Sequence, residues 1–305
     1  MTRELSFTQK VERSISKTYR ERIWTPFITA IKNYKLIEEG DKIAVCISGG
    51  KDSMLLAKLI QMLHRHSDFK FDVVYLVMDP GYNERNRKKI EDNARLLEIP
   101  ITVFETDIFD VANKIERSPC YVCAKMRRGH LYHRAKDLGC NKIALGHHMS
   151  DVIETTVMAM FYGSQLQGMM PKLHSLNFEG MELIRPLYCI NEQDIINWKN
   201  YNSLEFIQCA CRFTEKTEML APEGEKKSGD SDALNGDSLN GDINESKRLE
   251  IKNLIKKLKR INPNIENSIF NSIHSVCIET FPGYKTEGQL HSFLEDYKNR
   301  KPQKG

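Results

Sequence analysis

Short apolar runs alternate with longer amphipathic stretches through the first half of the chain. Four apolar runs have the length of buried strands: 43–47, 72–78, 101–105 and 142–146. Three longer stretches, two between these runs and one after the last, carry apolar residues at helical spacing: 52–65, 84–98 and 151–162. This alternation favours a parallel sheet flanked by helices and joined by right-handed crossovers. The predicted fold class is therefore α/β.

The remaining pattern divides the chain into four regions. Residues 1–40 carry apolar positions at helical spacing, and residues 41–221 contain the α/β pattern. Residues 222–247 contain no aromatic residue and repeat Leu-Asn-Gly-Asp, which is typical of a flexible surface insertion. Residues 248–305 are predicted to form a helical C-terminal region.

Composition narrows the class of protein. The hydrophobic fraction of 40% and the charged fraction of 28% are those of an ordinary soluble protein. No apolar run approaches the roughly 20 residues that span a membrane, and residues 1–22 do not resemble a signal peptide, so we expect a cytoplasmic protein without a membrane partner. The net charge is +4, but residues 222–247 contribute −4, which leaves +8 on the rest of the chain. That excess fits a polyanionic partner.

The hexapeptide Ser-Gly-Gly-Lys-Asp-Ser at 48–53 joins a predicted strand to a predicted helix. A helix N-terminus offers unpaired N–H groups, and glycines let a phosphate approach them closely. Ser48 and Ser53 add hydroxyl groups, Lys51 adds positive charge, and Asp52 is a candidate magnesium ligand. The adjacent glycines differ from the Gly-x-x-x-x-Gly-Lys-Ser/Thr of the common P-loop. We therefore predict a nucleotide site of another kind.

Polar residues also follow two other predicted strands. Asp79 ends the second strand, while Gly146, His147 and His148 end the fourth, with Asp151 shortly after them. Ligands bind at the carboxyl ends of strands in such sheets, so these residues are expected to share one crevice with the hexapeptide. Two alternatives stay open: Asp151 as an acidic residue that complements the dipole of its helix, and the histidines as packing residues.

The eight cysteines fall into lone residues and pairs. Four stand alone and are expected to be small buried residues: Cys46, Cys140, Cys189 and Cys277. The two close pairs are Cys120 with Cys123 and Cys209 with Cys211. In a reducing compartment such pairs hold metal or do redox work rather than form a disulfide framework. Three alternatives follow: structural zinc, a thiol redox pair, and a three-cysteine [4Fe-4S] cluster.

These motifs together resemble those of a known family. The hexapeptide resembles the PP-loop of N-type ATP pyrophosphatases, whose fold is a parallel, HUP-like sheet flanked by helices. With Cys120-x-x-Cys123, "ALGHH" at 144–148, "MMPKL" at 169–173 and "IRPL" at 184–187, the chain closely resembles the TtcA-type tRNA 2-thiocytidine synthetases. The resemblance implies a PP-loop domain with helical N- and C-terminal additions.

The resemblance also implies a reaction on cytidine 32 of a tRNA. ATP, assisted by magnesium, would adenylate the C2 oxygen, and sulfur carried by a [4Fe-4S] cluster would replace it, giving 2-thiocytidine, AMP and pyrophosphate. The residues implied to bind the nucleotide are Ser48, Gly49, Gly50, Lys51, Asp52, Ser53, Asp79, Gly146 and His147. Those implied to be catalytic are Lys51, Asp52 and Asp151, and those implied to hold the cluster are Cys120, Cys123 and Cys209.

The implied partners are tRNA and a sulfur donor, either a cysteine desulfurase persulfide or sulfide, and a homodimer is expected. Several cations are candidate contacts to tRNA phosphates, with a solvated helix face as the alternative for each: Arg13, Lys17, Arg20, Arg22, Lys125, Arg127, Arg128 and Arg134. Phe161 and Tyr162 are expected in the core, with stacking on an extruded base as the alternative.

Three departures from the family pattern stand out. Ser150 occupies the position where the family usually has the first of two aspartates, Cys211 follows Cys209 after one residue rather than two, and the 222–247 insertion begins shortly after this pair. Two rival functions are thiolation of another tRNA base such as uridine, and nucleic-acid binding by a non-catalytic protein with structural zinc.

Overall fold

A computed structural model describes residues 4–108, 119–207, 240–295 and 297, without the side chains of 119–125 and 240–246. The chain divides into two compact units, Met1–Leu254 and Ile255–Gly305. The first unit contains the predicted α/β pattern together with the N-terminal helical region. No helix within the described ranges is both long and apolar enough to cross a membrane.

A six-stranded sheet forms the centre of the first unit. Its strands are β1 (Lys42–Ile47), β2 (Asp72–Asp79), β3 (Ile101–Glu105), β4 (Lys142–Ala144), β5 (Lys172–His174) and β6 (Glu182–Ile184). Their order is β3-β2-β1-β4-β6-β5, and every pairing is parallel except that of β5 with β6. This architecture confirms the predicted fold class. The three-residue strands β5 and β6 were not predicted, because so short a run shows no periodicity.

Helices cover the sheet and follow the predicted stretches closely. They are α1 (Phe7–Arg13), α2 (Thr25–Asn33), α3 (Lys51–His66), α4 (Glu84–Leu96), α5 (Pro119–Asp137), α6 (Met149–Gly163), α7 (Glu192–Tyr201) and α8 (Asn240–Ile261). Two π-helical segments, Ser14–Thr18 and Arg20–Trp24, connect α1 to α2. Residues 222–239 of the predicted insertion lie outside the described residues, whereas its last residues belong to α8.

The core lies on both faces of the sheet. Ile43, Val45 and Ile47 of β1 belong to a cluster that includes residues of α1, α2, α3 and α7. Ala44 and Cys46, which alternate with them, belong to a second cluster with residues of α5 on the opposite face. Because both faces of β1 are buried, its sequence is a continuous apolar run rather than an alternating one.

The second unit contains the C-terminal part of α8, then α9 (Ile265–Ile273) and a hairpin of β7 (Gly283–Thr286) with β8 (Gln289–Ser292). Short 3-10 turns, Ile278–Thr280 and Phe293–Glu295, flank the hairpin. The hairpin was not predicted. The lone cysteines differ in burial: Cys46 and Cys140 are buried as expected, Cys189 is partly buried, and Cys277 is exposed, so the prediction was wrong for Cys277.

Candidate nucleotide-binding site

The turn between β1 and α3 is fixed by its own residues. Gly49 has a φ of +84°, and a Cβ at this position would lie 2.5 Å from Cγ1 of Ile90. Ser53 Oγ accepts a hydrogen bond from the N–H of Ser48 at 3.2 Å and donates one to the carbonyl of Gly50 at 3.0 Å. Only glycine combines this backbone conformation with this close approach at position 49. The turn is therefore held by its own backbone geometry and hydrogen bonds.

The N-terminus of α3 is open to an anion. Gly50 is the N-cap residue and supplies no side-chain acceptor, so N–H groups of the first turn remain available. Lys51 Nζ lies 3.0 Å from Asp52 Oδ2 and 3.1 Å from Glu192 Oε1. Asp52 Oδ1 is buried and has no hydrogen-bond partner within the described part of the chain. An unpaired carboxylate oxygen beside an anion site fits a hard cation such as Mg²⁺.

Gly146 brings the end of β4 against the first turn of α3. A Cβ on Gly146 would lie 3.1 Å from the carbonyl carbon of Asp52 and 3.1 Å from the nitrogen of Ser53. The next residue, His147, has a buried Nδ1 without a hydrogen-bond partner among the described residues. Burial, opposed by Asp151 and aided by Arg185, lowers the pKa of His147 to about 4. This imidazole is therefore neutral at physiological pH.

His148 and Asp151 form a reciprocal cap at the start of α6. The N–H of His148 donates to Asp151 Oδ2 at 3.0 Å, and the N–H of Asp151 donates to His148 Nδ1 at 3.4 Å. His148 Nε2 lies 3.8 Å from Asp52 Oδ1, too far for a hydrogen bond. Asp151 thus has the helix-capping role that the sequence left open, and its Oδ1 also accepts a hydrogen bond from Arg248.

One cavity of about 320 Å³, here called the loop cavity, brings together six of the predicted site residues. They are Ser48, Asp52, Ser53, Gly146, His147 and Asp151. Its other lining residues are Cys46, Ile47, Met78, Tyr82, Arg127, Leu131 and Leu145. The cavity thus combines a polar wall around the turn with an apolar wall from the sheet and α5. Such a combination is typical of sites that bind an aromatic ring with a charged group.

Asp79 lies in a neighbouring cavity of about 390 Å³ rather than in the loop cavity. Its Oδ1 accepts hydrogen bonds from the N–H groups of Gly81 and Tyr82, and its Oδ2 accepts one from Arg87 at 2.7 Å. Burial opposes ionisation, but these hydrogen bonds outweigh it, so the pKa of Asp79 lies below its ordinary value. Tyr82 lines both cavities, which therefore adjoin.

The predicted cluster ligands lie at the limits of the described residues. Cys120 and Cys123 belong to the first turns of α5, whose side chains there are not described, and Cys209 and Cys211 lie outside the described residues. Arg127, one turn after Cys123, lines the loop cavity. Ile207, two residues before Cys209, covers the turn, since its Cδ1 would lie 2.7 Å from a Cβ on Gly49. Within the described ranges no three His, Cys, Asp or Glu residues are grouped as a metal site.

The candidate tRNA contacts lie on different elements of the first unit. Arg13, Lys17, Arg20 and Arg22 are exposed along the N-terminal helical segments, and Arg128 is exposed on α5. Phe161 is 59% exposed and Tyr162 is 39% exposed, so the expectation that they lie in the core was wrong. Both follow Val157, the last buried residue of α6.

Sequence reasoning missed a second charged group of residues beside the turn: Glu154, Glu192, Arg248 and Lys252. With Lys51, Asp52, His148, Asp151 and Leu249 they line a cavity of about 300 Å³, here called the charged cavity. Ser150 helps to place Glu192, because its Oγ accepts the N–H of Glu192 at 3.2 Å. Asn191 signals a helix start in the sequence, but nothing local indicates that the next residue reaches Lys51.

Comparisons with known proteins agree with this geometry. The profile of the PP-loop domain family matches residues 9–212. A tRNA-cytidine(32) 2-sulfurtransferase from Acidovorax ebreus is 36% identical over 208 residues, which are 66% of this chain and 64% of that relative. One from Geobacter metallireducens is 31% identical over 250 residues, 81% of this chain and 86% of that relative. The match therefore spans less than two thirds of the first relative and most of the second.

The fold also has a solved counterpart. The U34-tRNA thiolase NcsA from Methanococcus maripaludis, solved with its [4Fe-4S] cluster, superimposes with a TM-score of 0.60. The superposition covers 83% of this chain and 78% of that protein at 18% identity. At this identity the likeness concerns the fold.

Proposed function

The chain belongs to the PP-loop family that includes the tRNA-cytidine(32) 2-sulfurtransferases, and on that basis we propose that it is an ATP-dependent tRNA sulfurtransferase. It adenylates the C2 oxygen of cytidine 32 and exchanges that oxygen for sulfur. One observation carries the proposal: the open N-terminus of α3 and the helix that bears Cys120 and Cys123 contribute to the same cavity.

In the first step the C2 oxygen of the base attacks the α-phosphorus of ATP and pyrophosphate leaves. The N–H groups at the start of α3 are the donors for the phosphate oxygens, with Lys51 as a cation in the same turn. The hydroxyls of Ser48 and Ser53 hydrogen-bond within the turn and would join these donors by rotating toward the phosphate. Asp52 Oδ1 is the candidate ligand for a magnesium ion, which when bound would offset the charge that builds on pyrophosphate. Donors fixed before the reaction stabilise such charge without reorganising.

The base itself would lie against the apolar wall of the loop cavity. His147 is neutral, so its unpaired Nδ1 can hydrogen-bond a base without repelling the magnesium ion. Arg127, on the helix that bears Cys120 and Cys123, adds a cation to the lining of the cavity. In the second step sulfur attacks C2, and AMP leaves with the original oxygen.

A [4Fe-4S] cluster, with sulfur on an iron that the protein does not hold, would supply that sulfur. Cys120, Cys123 and Cys209 are the residues that would hold it, and thiolates are the ligands such clusters use. Two observations support a position of the cluster beside the loop cavity. Arg127 lines that cavity one turn after Cys123, and Ile207, which lies against Gly49, precedes Cys209 by two residues in the sequence.

The proposed partners follow from the chemistry. The exposed cations Arg13, Lys17, Arg20 and Arg22 are candidates for contacts to tRNA phosphates, and the +8 charge outside the insertion favours such a ligand. A persulfide of a cysteine desulfurase or free sulfide is the proposed sulfur donor. We further propose a homodimer, which sedimentation of the purified chain would test.

The test combines nucleoside mass spectrometry with pyrophosphate release. Anaerobically purified protein is incubated with ATP, magnesium, sulfide and a tRNA that carries C32, and the digested tRNA is analysed for thiolated nucleosides. We expect 2-thiocytidine in the wild type, its loss in Asp52→Asn, and its retention in Asp72→Asn, a matched change of an exposed aspartate at the opposite end of the sheet. Thiouridine would redirect the proposal to another base, and intact cluster without any thiolation would refute it.

Iron and zinc analysis of the same preparation tests the cluster. We expect roughly four irons per chain, lost in Cys120→Ala, Cys123→Ala and Cys209→Ala and kept in Cys211→Ala. Stoichiometric zinc without iron would contradict the proposed sulfur carrier.

A further inference from the structure

The charged cavity contains more charge than the start of α3 alone would provide. Three cations face it, Lys51, Arg248 and Lys252, together with four carboxylates: Asp52, Asp151, Glu154 and Glu192. It shares Asp52 and Asp151 with the loop cavity, so the two cavities lie on either side of these carboxylates.

Helix α8 supplies two of the cations from one face. Arg248 Nε lies 2.8 Å from Glu154 Oε2, and its Nη2 lies 2.5 Å from Asp151 Oδ1. Lys252, one turn later, places Nζ 2.6 Å from Glu192 Oε2. The other oxygen of Glu192 accepts from Lys51 at 3.1 Å, so one carboxylate connects α8 to the turn.

The cavity is arranged for an anion larger than a carboxylate. Asp52, Asp151 and Glu192 are in the first turns of α3, α6 and α7, so three helix N-termini meet there. Their partial positive charges add to those of the three cations and, together with them, offset the four carboxylates of the cavity. Burial opposes ionisation of Glu192, but Lys252 and Lys51 outweigh it and lower its pKa to about 2. The volume of about 300 Å³ has room for roughly ten waters, hence for several phosphate oxygens.

We propose that Arg248 and Lys252 of α8 are polyphosphate-binding residues. Glu192 is the counter-ion that Lys51 and Lys252 exchange for the phosphates of ATP, and Asp151 and Glu154 are the counter-ions of Arg248. This inference rests on the proposed use of the Ser48–Ser53 turn for ATP. Without nucleotide, Glu192 holds Lys51 and Lys252 in place and competes with the anion. When pyrophosphate occupies the turn, its oxygens replace the carboxylate as partners of these cations.

A nucleotide fits this site better than an RNA backbone. The side chains of Lys51 and Glu192 are only 23% and 18% exposed, so the cavity is partly closed. Lys51 follows directly after Gly50, the cap of α3, so an anion bound at that cap lies within reach of its side chain. The cations on the N-terminal helical segments, by contrast, are exposed as a long backbone ligand requires.

The experiment is titration calorimetry of pyrophosphate into the full chain in metal-free buffer, without tRNA or sulfur donor. Arg248→Gln and Lys252→Gln should each weaken binding about tenfold, or 1.4 kcal/mol. Lys252→Arg should keep most of the affinity. Glu192→Gln should tighten binding, because it removes the competing anion. Lys257→Gln, which removes an exposed lysine further along α8, should leave the affinity unchanged.

Weaker pyrophosphate binding in the Arg248 and Lys252 variants, together with tighter binding in the Glu192 variant, would show a binding role rather than a structural one. Weaker binding in Glu192→Gln, with the same loss of thermal stability as in Lys252→Gln, would show that these pairs only attach α8, and would overturn the proposal. Unchanged pyrophosphate binding with weaker tRNA binding in Arg248→Gln would also overturn it. Because no thiolation is measured, failure of the proposed reaction would leave this result standing.

Discussion

Replacing Gly146 by alanine should damage the candidate nucleotide site without removing any polar group from it. The added Cβ would lie 3.1 Å from two backbone atoms, the carbonyl carbon of Asp52 and the nitrogen of Ser53, and 3.3 Å from the Cα of Ser53. Favourable separations between carbon atoms begin at about 3.5 Å. Since all three neighbours belong to helix backbone, they cannot turn aside as a flexible side chain would.

The magnitude follows from this crowding. Relief requires α3 and the end of β4 to separate by a few tenths of an ångström, and overpacking of this kind typically costs about 1–3 kcal/mol. The displaced atoms are the first turn of α3, which carries the proposed phosphate donors. We therefore expect a lower free energy of unfolding together with weaker pyrophosphate binding.

Urea denaturation and pyrophosphate calorimetry measure both effects. Gly129→Ala is the matched control, because a Cβ at this interior position of α5 would meet no atom within 4 Å. It should stabilise the protein by about 0.5–1 kcal/mol and leave binding unchanged. The reasoning is refuted if Gly146→Ala is as stable as the wild type and binds pyrophosphate equally well.

Three further predictions concern buried groups. The pKa of His147 is lowered from 6.5 to about 4, so its contribution to the free energy of unfolding should be fully present above pH 6.5 and should fall by about 2 kcal/mol between pH 7 and pH 5. Urea titrations at the two pH values should show this fall in the wild type and not in His147→Asn. The same fall in both proteins would contradict the prediction. Glu12→Gln should lower the free energy of unfolding by about 1–3 kcal/mol in the same assay, because Lys58 is fully buried with its Nζ 2.6 Å from Glu12. No loss would mean that the hydrogen bonds of Lys58 to Leu97 and Gln61 are sufficient to hold it. Burial raises the pKa of the Cys46 thiol to about 12, whereas Cys277 is exposed. Iodoacetamide at pH 8 should therefore label Cys277 in the native protein and Cys46 only after unfolding. Peptide mass mapping that finds both cysteines labelled at the same rate would refute this.

Local pattern was sufficient for the main elements of the fold. The apolar run of β1 and the polar turn before α3 identify a strand, a tight turn and a helix start within a few residues. The same holds for α4 and α6. The pattern was insufficient for β5, β6 and the β7–β8 hairpin, whose strands of three or four residues are held by pairing rather than by their own periodicity.

For the candidate site, too, the sequence predicted some features and the tertiary structure decided others. Sequence identified Ser48, Asp52, Gly146, His147 and Asp151, because each follows a buried strand, and strands of a parallel sheet end at one edge. It also placed Asp79 at that edge, yet hydrogen bonds from its own turn and from Arg87 occupy both carboxylate oxygens. Whether a carboxylate is available depends on its neighbours in space, which spacing along the chain does not record.

By itself, then, the sequence determined the main strands and helices of the first unit and the glycine-containing turn that joins β1 to α3, because these properties depend on neighbouring residues. Only the tertiary structure decided that Glu192 meets both Lys51 and Lys252, across gaps of 141 and 60 residues. Such contacts depend on how α7 and α8 pack beside the sheet. A long-range ion pair leaves no periodic signal, because its partners need only opposite charge and no particular spacing.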